Sequence, residues 1–133
     1  MLERTHIQSS GFRNTGEPGA RDGFQVRLRQ PNYRATRLSL LAGVDITVDG
    51  ETYTSADSRF VVDGREYTHE QMLAATDVRW EVGTHMTVLI KRPGGLLPGV
   101  HDVSSMIAFR HPYFPPQFQP TFVRENRMIT IIL

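Results

Sequence analysis

The chain has 133 residues, with 15 Lys and Arg against 14 Asp and Glu, and no cysteine. That length fits one domain, the near-zero charge gives no reason to expect nucleic acid or an anionic membrane, and the missing cysteines exclude disulfides, thiolate metal sites and cysteine nucleophiles. No apolar run approaches the ~20 residues of a membrane span, and Met1–His6 lacks the basic-then-apolar pattern of a secretory signal, so a cytoplasmic location is expected.

Along the chain the dominant period is two. Arg13–Gly23 is rich in glycine and charge and reads as a mobile loop. Phe24, Val26 and Leu28 then alternate with Gln25, Arg27 and Arg29, the pattern of a half-buried strand. After Gln30-Pro31, a loop carries Asn32-Tyr33-Arg34-Ala35-Thr36-Arg37. Val44, Ile46 and Val48 form the next strand, and Asp49-Gly50 signals a hairpin into Glu51–Tyr53. Phe60–Val62, Asp63-Gly64 and Arg65–Tyr67 repeat that arrangement.

Thr68 stands three residues before Gln71, a capping box, and Met72, Leu73 and Ala74 follow, so a short helix is expected there before an Asp77–Trp80 strand. Met86, Val88 and Ile90 alternate again until Pro93-Gly94-Gly95. Pro98-Gly99 turns the chain into a strand from Val100 to about Arg110, with Val103, Ile107 and Phe109 on one face. His111–Pro120 holds four prolines among Tyr113, Phe114 and Phe118. Proline lacks the N–H a ladder needs, so residues 111–122 or so form an arm, either packed on its own core or docked on a partner. Phe122–Leu133 is the last strand. The whole reads as mainly β: one antiparallel sandwich-like or barrel-like domain over 1–133 with a single short helix.

No complete catalytic constellation is visible. His6, His69, His85, His101 and His111 lack the short paired spacing of a metal site, and Ser9-Ser10 and Ser104-Ser105 lack a nucleophile elbow. Pro93–Gly99 is followed by no lysine and helix, so its glycines read as turn residues and not a phosphate loop. His101 follows a turn at a strand start, where an ordinary polar edge role is expected. Trp80 reads as core or sheet-face packing. Tyr33, Arg34 and Arg37 hold more promise, because arginine and tyrosine together anchor interfaces and bind polar ligands.

Phe12-Arg13-Asn14, Tyr33-Arg34 with Leu38-Ser39, Val48-Asp49-Gly50, Arg79-Trp80, and Gly94-Gly95-Leu96 with Gly99 and His101 fall in an order that spans nearly the whole chain. In that order they resemble the small β subunit of bacterial C-glycoside deglycosidases. The resemblance implies a β-sandwich-like subunit bound to an α subunit with a sugar-isomerase-like TIM barrel. It further implies cleavage of the carbon–carbon bond between a 3-oxo-glucosyl group and an aromatic, flavonoid-type aglycone. A divalent metal, manganese or magnesium, and the acid/base residues are then expected on the α subunit, with none bound by this chain. Tyr33, Arg34 and Arg37 in one loop and Tyr113, Phe114 and Phe118 in the arm become the residues expected nearest partner or substrate. The competing expectation is a stand-alone sandwich module that binds carbohydrate or protein; a cupin-like metalloenzyme is a further alternative.

Overall fold

The computed structural model describes residues 2–111, 115, 117 and 119–131. The chain runs β1 (Ile7–Glu17), β2 (Ala20–Arg29), β3 (Thr36–Arg37), β4 (Leu41–Val48), β5 (Glu51–Tyr53), β6 (Ser58–Val62), β7 (Arg65–Thr68), α1 (His69–Ala74), β8 (Arg79–Trp80), β9 (His85–Lys91), β10 (Gly99–Phe109) and β11 (Thr121–Ile131). A five-stranded sheet has the order β1-β2-β9-β6-β7, a four-stranded sheet has β11-β10-β4-β5, and β3 and β8 form a short ladder of their own. The pairings are antiparallel. The sheets stay separate, which makes the molecule a sandwich and not a closed barrel.

The period-two pattern explains the layers. Phe24, Val26 and Leu28 of β2, Met86, Val88 and Ile90 of β9, and Phe60 of β6 point inward from one sheet. Val44, Ile46 and Val48 of β4 and Val103, Ile107 and Phe109 of β10 meet them from the other, in one apolar cluster. Each such side chain, fully buried, contributes on the order of 1.5–3 kcal/mol. Both Asp-Gly turns have the expected left-handed geometry: φ is +50° and +86° at Asp49-Gly50, and +51° and +76° at Asp63-Gly64. That geometry matches the twist of the strands it joins.

The capping box forms. The Thr68 hydroxyl accepts from the Gln71 N–H at 3.1 Å, and the Gln71 side chain accepts from the Thr68 N–H at 2.9 Å. Met72 on the helix's inner face is fully buried.

Three expectations need correction. Arg13–Gly23 is not a mobile loop: it is a β-hairpin, with β1 laddered to β2 down to Glu17↔Ala20. The ladder shifts register between Gln8 and Arg13 and between Thr15 and Gly16. Gly11 and Gly16, at φ of +77° and +88°, supply the left-handed backbone there. The glycines thus serve bulges within the strand. The strand expected over Asp77–Trp80 is only Arg79–Trp80, and Arg37, expected in a loop, sits on β3 opposite Arg79.

One open side of the sandwich is closed by charge. The Glu125 carboxylate on β11 accepts from the backbone N–H groups of Ile7 at 2.8 Å and His6 at 3.1 Å. The Arg127 guanidinium donates to the Ile7 carbonyl at 2.8 Å and pairs with Glu3 at 2.9 Å, holding the Glu3 carboxyl down at about 2. Inward-facing charges of this kind protect an edge strand from pairing with another chain.

Candidate functional site

The residues that singled themselves out in the sequence gather at opposite ends of the sandwich. β10 runs between the two ends, and its eleven residues span roughly 30 Å at ~3.3 Å per residue.

At one end lie Tyr33, Arg34 and Arg37. Pro31 cannot continue the β2 ladder, so the chain leaves the sheet after the buried Gln30. The Gln30 side chain then organises the loop: it donates to the Trp80 carbonyl at 2.9 Å and accepts from the Asn32 N–H at 3.1 Å. Asn32 reaches the Thr36 hydroxyl at 3.3 Å. Thr36 and Arg37 pair with Trp80 and Arg79, and the Leu38 N–H donates to the Val78 carbonyl at 2.9 Å. Trp80 is wholly buried, as a core role requires. The tether leaves Tyr33 100% exposed, with Arg34, Arg37 and Arg79 exposed beside it.

The base of the proline-rich arm is at the same end. The Arg110 N–H donates to the Leu40 carbonyl at 2.8 Å, at the end of the 3-10 turn Leu38–Leu40 that follows Arg37. His111 and Gln119 clasp each other: the His111 N–H donates to Gln119 Oε1 at 3.1 Å, and Gln119 Nε2 donates to the His111 carbonyl at 2.5 Å. The His111 ring lies 2.8 Å from the Thr121 hydroxyl. His111, Gln119 and Thr121 thus close the base of the arm. Tyr113, Phe114 and Phe118 lie outside the described residues.

The other end is a set of polar pins. Asn14 on β1 is buried and holds Leu96 from both sides, donating to its carbonyl at 2.9 Å and accepting from its N–H at 2.8 Å. Arg92 donates to Glu51 at 2.7 Å and to the Tyr53 hydroxyl at 2.6 Å. The Arg92 guanidinium lowers the Glu51 carboxyl, while burial raises the Tyr53 phenol. His101 is buried, not an edge residue, and its partner is Asp49 at 2.6 Å, not the adjacent Asp102. Its second nitrogen faces the Leu97 carbonyl at 2.6 Å.

Burial alone would lower the His101 imidazole, but acceptance by Asp49 and the Leu97 carbonyl outweighs it, and the net shift is upward. With both nitrogens engaged, the ring is not available as a free base. Phe12 packs edge-on against it at 6.1 Å. Asn14, Asp49 and His101 show no lone signal in sequence beyond their place in the resembling segments; their pairings join strands far apart in the chain. Among the described residues no three His, Asp or Glu side chains converge as metal ligands. No helix among them is long and apolar enough to cross a membrane.

The sequence model of the family described as C-glycoside deglycosidase beta subunit matches residues 2–113. The chain is 33% identical over 119 residues to a C-glycoside deglycosidase beta subunit of Eubacterium cellulosolvens, covering 89% of this chain and 81% of that one. It is 34% identical over 105 residues to a 3'-dehydrocarminate deglycosidase beta subunit of Microbacterium sp., covering 78% of each. A C-glycoside deglycosidase beta subunit of Microbacterium trichothecenolyticum is 36% identical over 80 residues, 60% of this chain and 57% of the other.

Proposed function

This chain belongs to the family of C-glycoside deglycosidase beta subunits, and from that premise we propose that it is the accessory subunit of a carbon–carbon lyase. A beta subunit implies an alpha partner. The reaction assigned to the complex is cleavage of the bond between a 3-oxo-glucosyl group and the aromatic carbon of a flavonoid-type aglycone. The 3'-dehydro substrate in one relative's name supports a sugar carrying that ketone.

A C-glycosidic bond offers no bridging oxygen to protonate, so the two-carboxylate route of ordinary glycosidases is closed. A ketone at C3 acidifies the C2 proton; removing that proton and protonating the aglycone carbon lets elimination expel the aglycone. In this proposal the base, the acid and the divalent metal, manganese or magnesium, belong to an α subunit with a sugar-isomerase-like TIM barrel. The described residues of this chain do not fit a metal, since no ligand set converges among them.

The part left to this chain is to stabilise the α subunit and cover the mouth of its active site. Tyr33, Arg34 and Arg37, with Tyr113, Phe114 and Phe118 of the arm, are the residues proposed to reach partner or substrate. The observation that carries the reading is the family match; the full exposure of Tyr33, at the end of the sandwich from which the aromatic arm leaves, supports it. Co-expression with the α subunit tests it. The two chains are expected to co-purify, and the pair to release aglycone from a 3-oxo-C-glucoside faster than the α subunit alone. A chain that purifies alone and never binds the α subunit would overturn the reading.

A further inference from the structure

We propose that Arg34, Arg37, Arg79 and Arg110 form one guanidinium face that receives a carboxylate-lined patch of the α subunit. The proposal rests on the subunit reading above and adds the chemistry of the partner surface. It also brings in Arg79 and Arg110, which the sequence did not place among the residues nearest partner or substrate.

The first observation is where unpaired cations lie close together in the fold; Arg4, Arg13 and Lys91 are also exposed without an ion pair among the described residues, but they stand apart on other segments. Arg59, Arg92 and Arg127 each pair with a carboxylate. Arg21 and Arg29 donate to backbone carbonyls, and Arg65 and Arg124 lie over the rings of Tyr67 and Phe122. Arg34, Arg37, Arg79 and Arg110 are all exposed. Within the described residues none of them has a carboxylate within 4.0 Å. Asp77 and Glu81 flank Arg79 in the chain, yet neither reaches it at that distance.

The second observation is how the backbone holds these residues together. Arg37 and Arg79 are direct partners on the β3–β8 ladder. Like charges facing each other across a ladder are unfavourable, and water and salt mask the repulsion only while the face stays exposed. Arg34 lies three residues before Arg37, and Arg110 is bonded to Leu40, three residues after it.

A flat carboxylate answers this arrangement best, because the guanidinium fork binds it through two parallel hydrogen bonds. Tyr33, fully exposed alongside, supplies the aromatic anchor that interfaces pair with arginine. Charged groups at an interface rim act chiefly on association rate and salt dependence.

The test is the affinity of purified α subunit for this chain from ~50 mM to ~500 mM salt. Arg79→Glu is the sharpest variant. It sets a carboxylate opposite Arg37, a favourable cross-strand pair, so weaker association cannot be blamed on a weaker fold. Lys91→Glu, at the far end of β9, is the control. Wild-type affinity is expected to fall with salt, Arg79→Glu to bind about tenfold more weakly at low salt with a shallower salt dependence, and Lys91→Glu to follow wild type. If wild type binds and Arg79→Glu binds as well as wild type, the guanidinium face is wrong and the subunit reading stands. If wild type does not bind at all, both fall. Tight capture of duplex DNA through these arginines, with no effect of Arg79→Glu on the α subunit, would also overturn the proposal.

Discussion

His101 Nδ1 lies 2.6 Å from the Asp49 carboxylate, tying the start of β10 to the turn between β4 and β5. The same carboxylate accepts from the Asp102 N–H at 2.9 Å, and the Asp49 N–H donates to the Asp102 carbonyl at 2.9 Å. Asp49 therefore has two tasks. Its left-handed φ of +50° makes the turn, and its side chain locks that turn to the neighbouring strand.

The pair predicts a pH window for stability. The His101 imidazole is raised above 6.5, so its contribution is complete below that pH and is lost as pH climbs through the raised value. The Asp49 carboxyl is held below 3.8, first by the His101 hydrogen bond, so its contribution is present above that pH and is lost on acidification. Together they support the fold most between about pH 4 and about pH 6.5. Asp49 is half exposed, which screens the pair and limits its worth to about 1 kcal/mol. Melting temperatures of wild type and His101→Gln across pH are expected to differ most inside that window and less in alkali, where only the packing of the buried ring still distinguishes them. A difference that is the same at every pH would contradict the assignment.

Asn14 predicts a larger and pH-independent effect. Its amide is the partner of both backbone groups of the buried Leu96. Asn14→Ala leaves a buried N–H and a buried carbonyl unpaired, at a cost of about 2 kcal/mol or more. Urea denaturation measures that loss, and hydrogen exchange should place faster opening at the segment around Leu96.

The strands with regular alternation were legible because one face of each meets a single core: Val44, Ile46 and Val48, or Met86, Val88 and Ile90, carry the fold class by themselves. The Asp-Gly turns and the Thr68–Gln71 cap were legible because each needs only residues adjacent in sequence. β1 was not. Its Ser-Ser-Gly and Asn-Thr-Gly stretches have weak strand propensity, and the strand exists because β2 supplies a ladder and glycines supply the bulges. The functional ends divide the same way. Tyr33, Arg34 and Arg37 are neighbours in the chain and could be read together. Arg79 and Arg110 join them only through the β3–β8 ladder and the Leu40 carbonyl, contacts no local pattern announces.

Gly23, misread as part of a loop, gives a strong test of that correction. It pairs with Lys91 in the β2–β9 ladder, and a Cβ there would lie 1.9 Å from the Ile90 carbonyl oxygen. Backbone must move to admit a methyl group, so Gly23→Ala is expected to cost about 3 kcal/mol or more. Gly19→Ala is the contrast. Gly19 has φ of +83° and open space around it, so only the backbone preference is lost, about 1 kcal/mol. Denaturation of both variants checks the ranking; equal losses would mean that the β2–β9 approach is looser than described.

Thr68→Ala removes one half of the capping box over a helix whose Met72 side chain is fully buried. The expected loss is about 1 kcal/mol by thermal or urea melting. Thr68→Ser keeps the hydroxyl and should recover most of it.

Tyr33 and the arm separate binding from folding. Tyr33 is fully exposed, so Tyr33→Ala should leave the melting temperature of the isolated chain unchanged, within about 0.5 kcal/mol. As an interface anchor it should still weaken α-subunit association, by about 2 kcal/mol if it is a hot spot. The same comparison applies to Phe114→Ala and Phe118→Ala. The His111–Gln119 clasp ties the two sides of the arm's base together through hydrogen bonds of the backbone and the Gln119 amide. Each substitution is therefore expected to reduce subunit association or turnover more than it reduces stability. Loss of stability in the isolated chain, with association unchanged once folded, would instead make the arm a cover for this chain's own core.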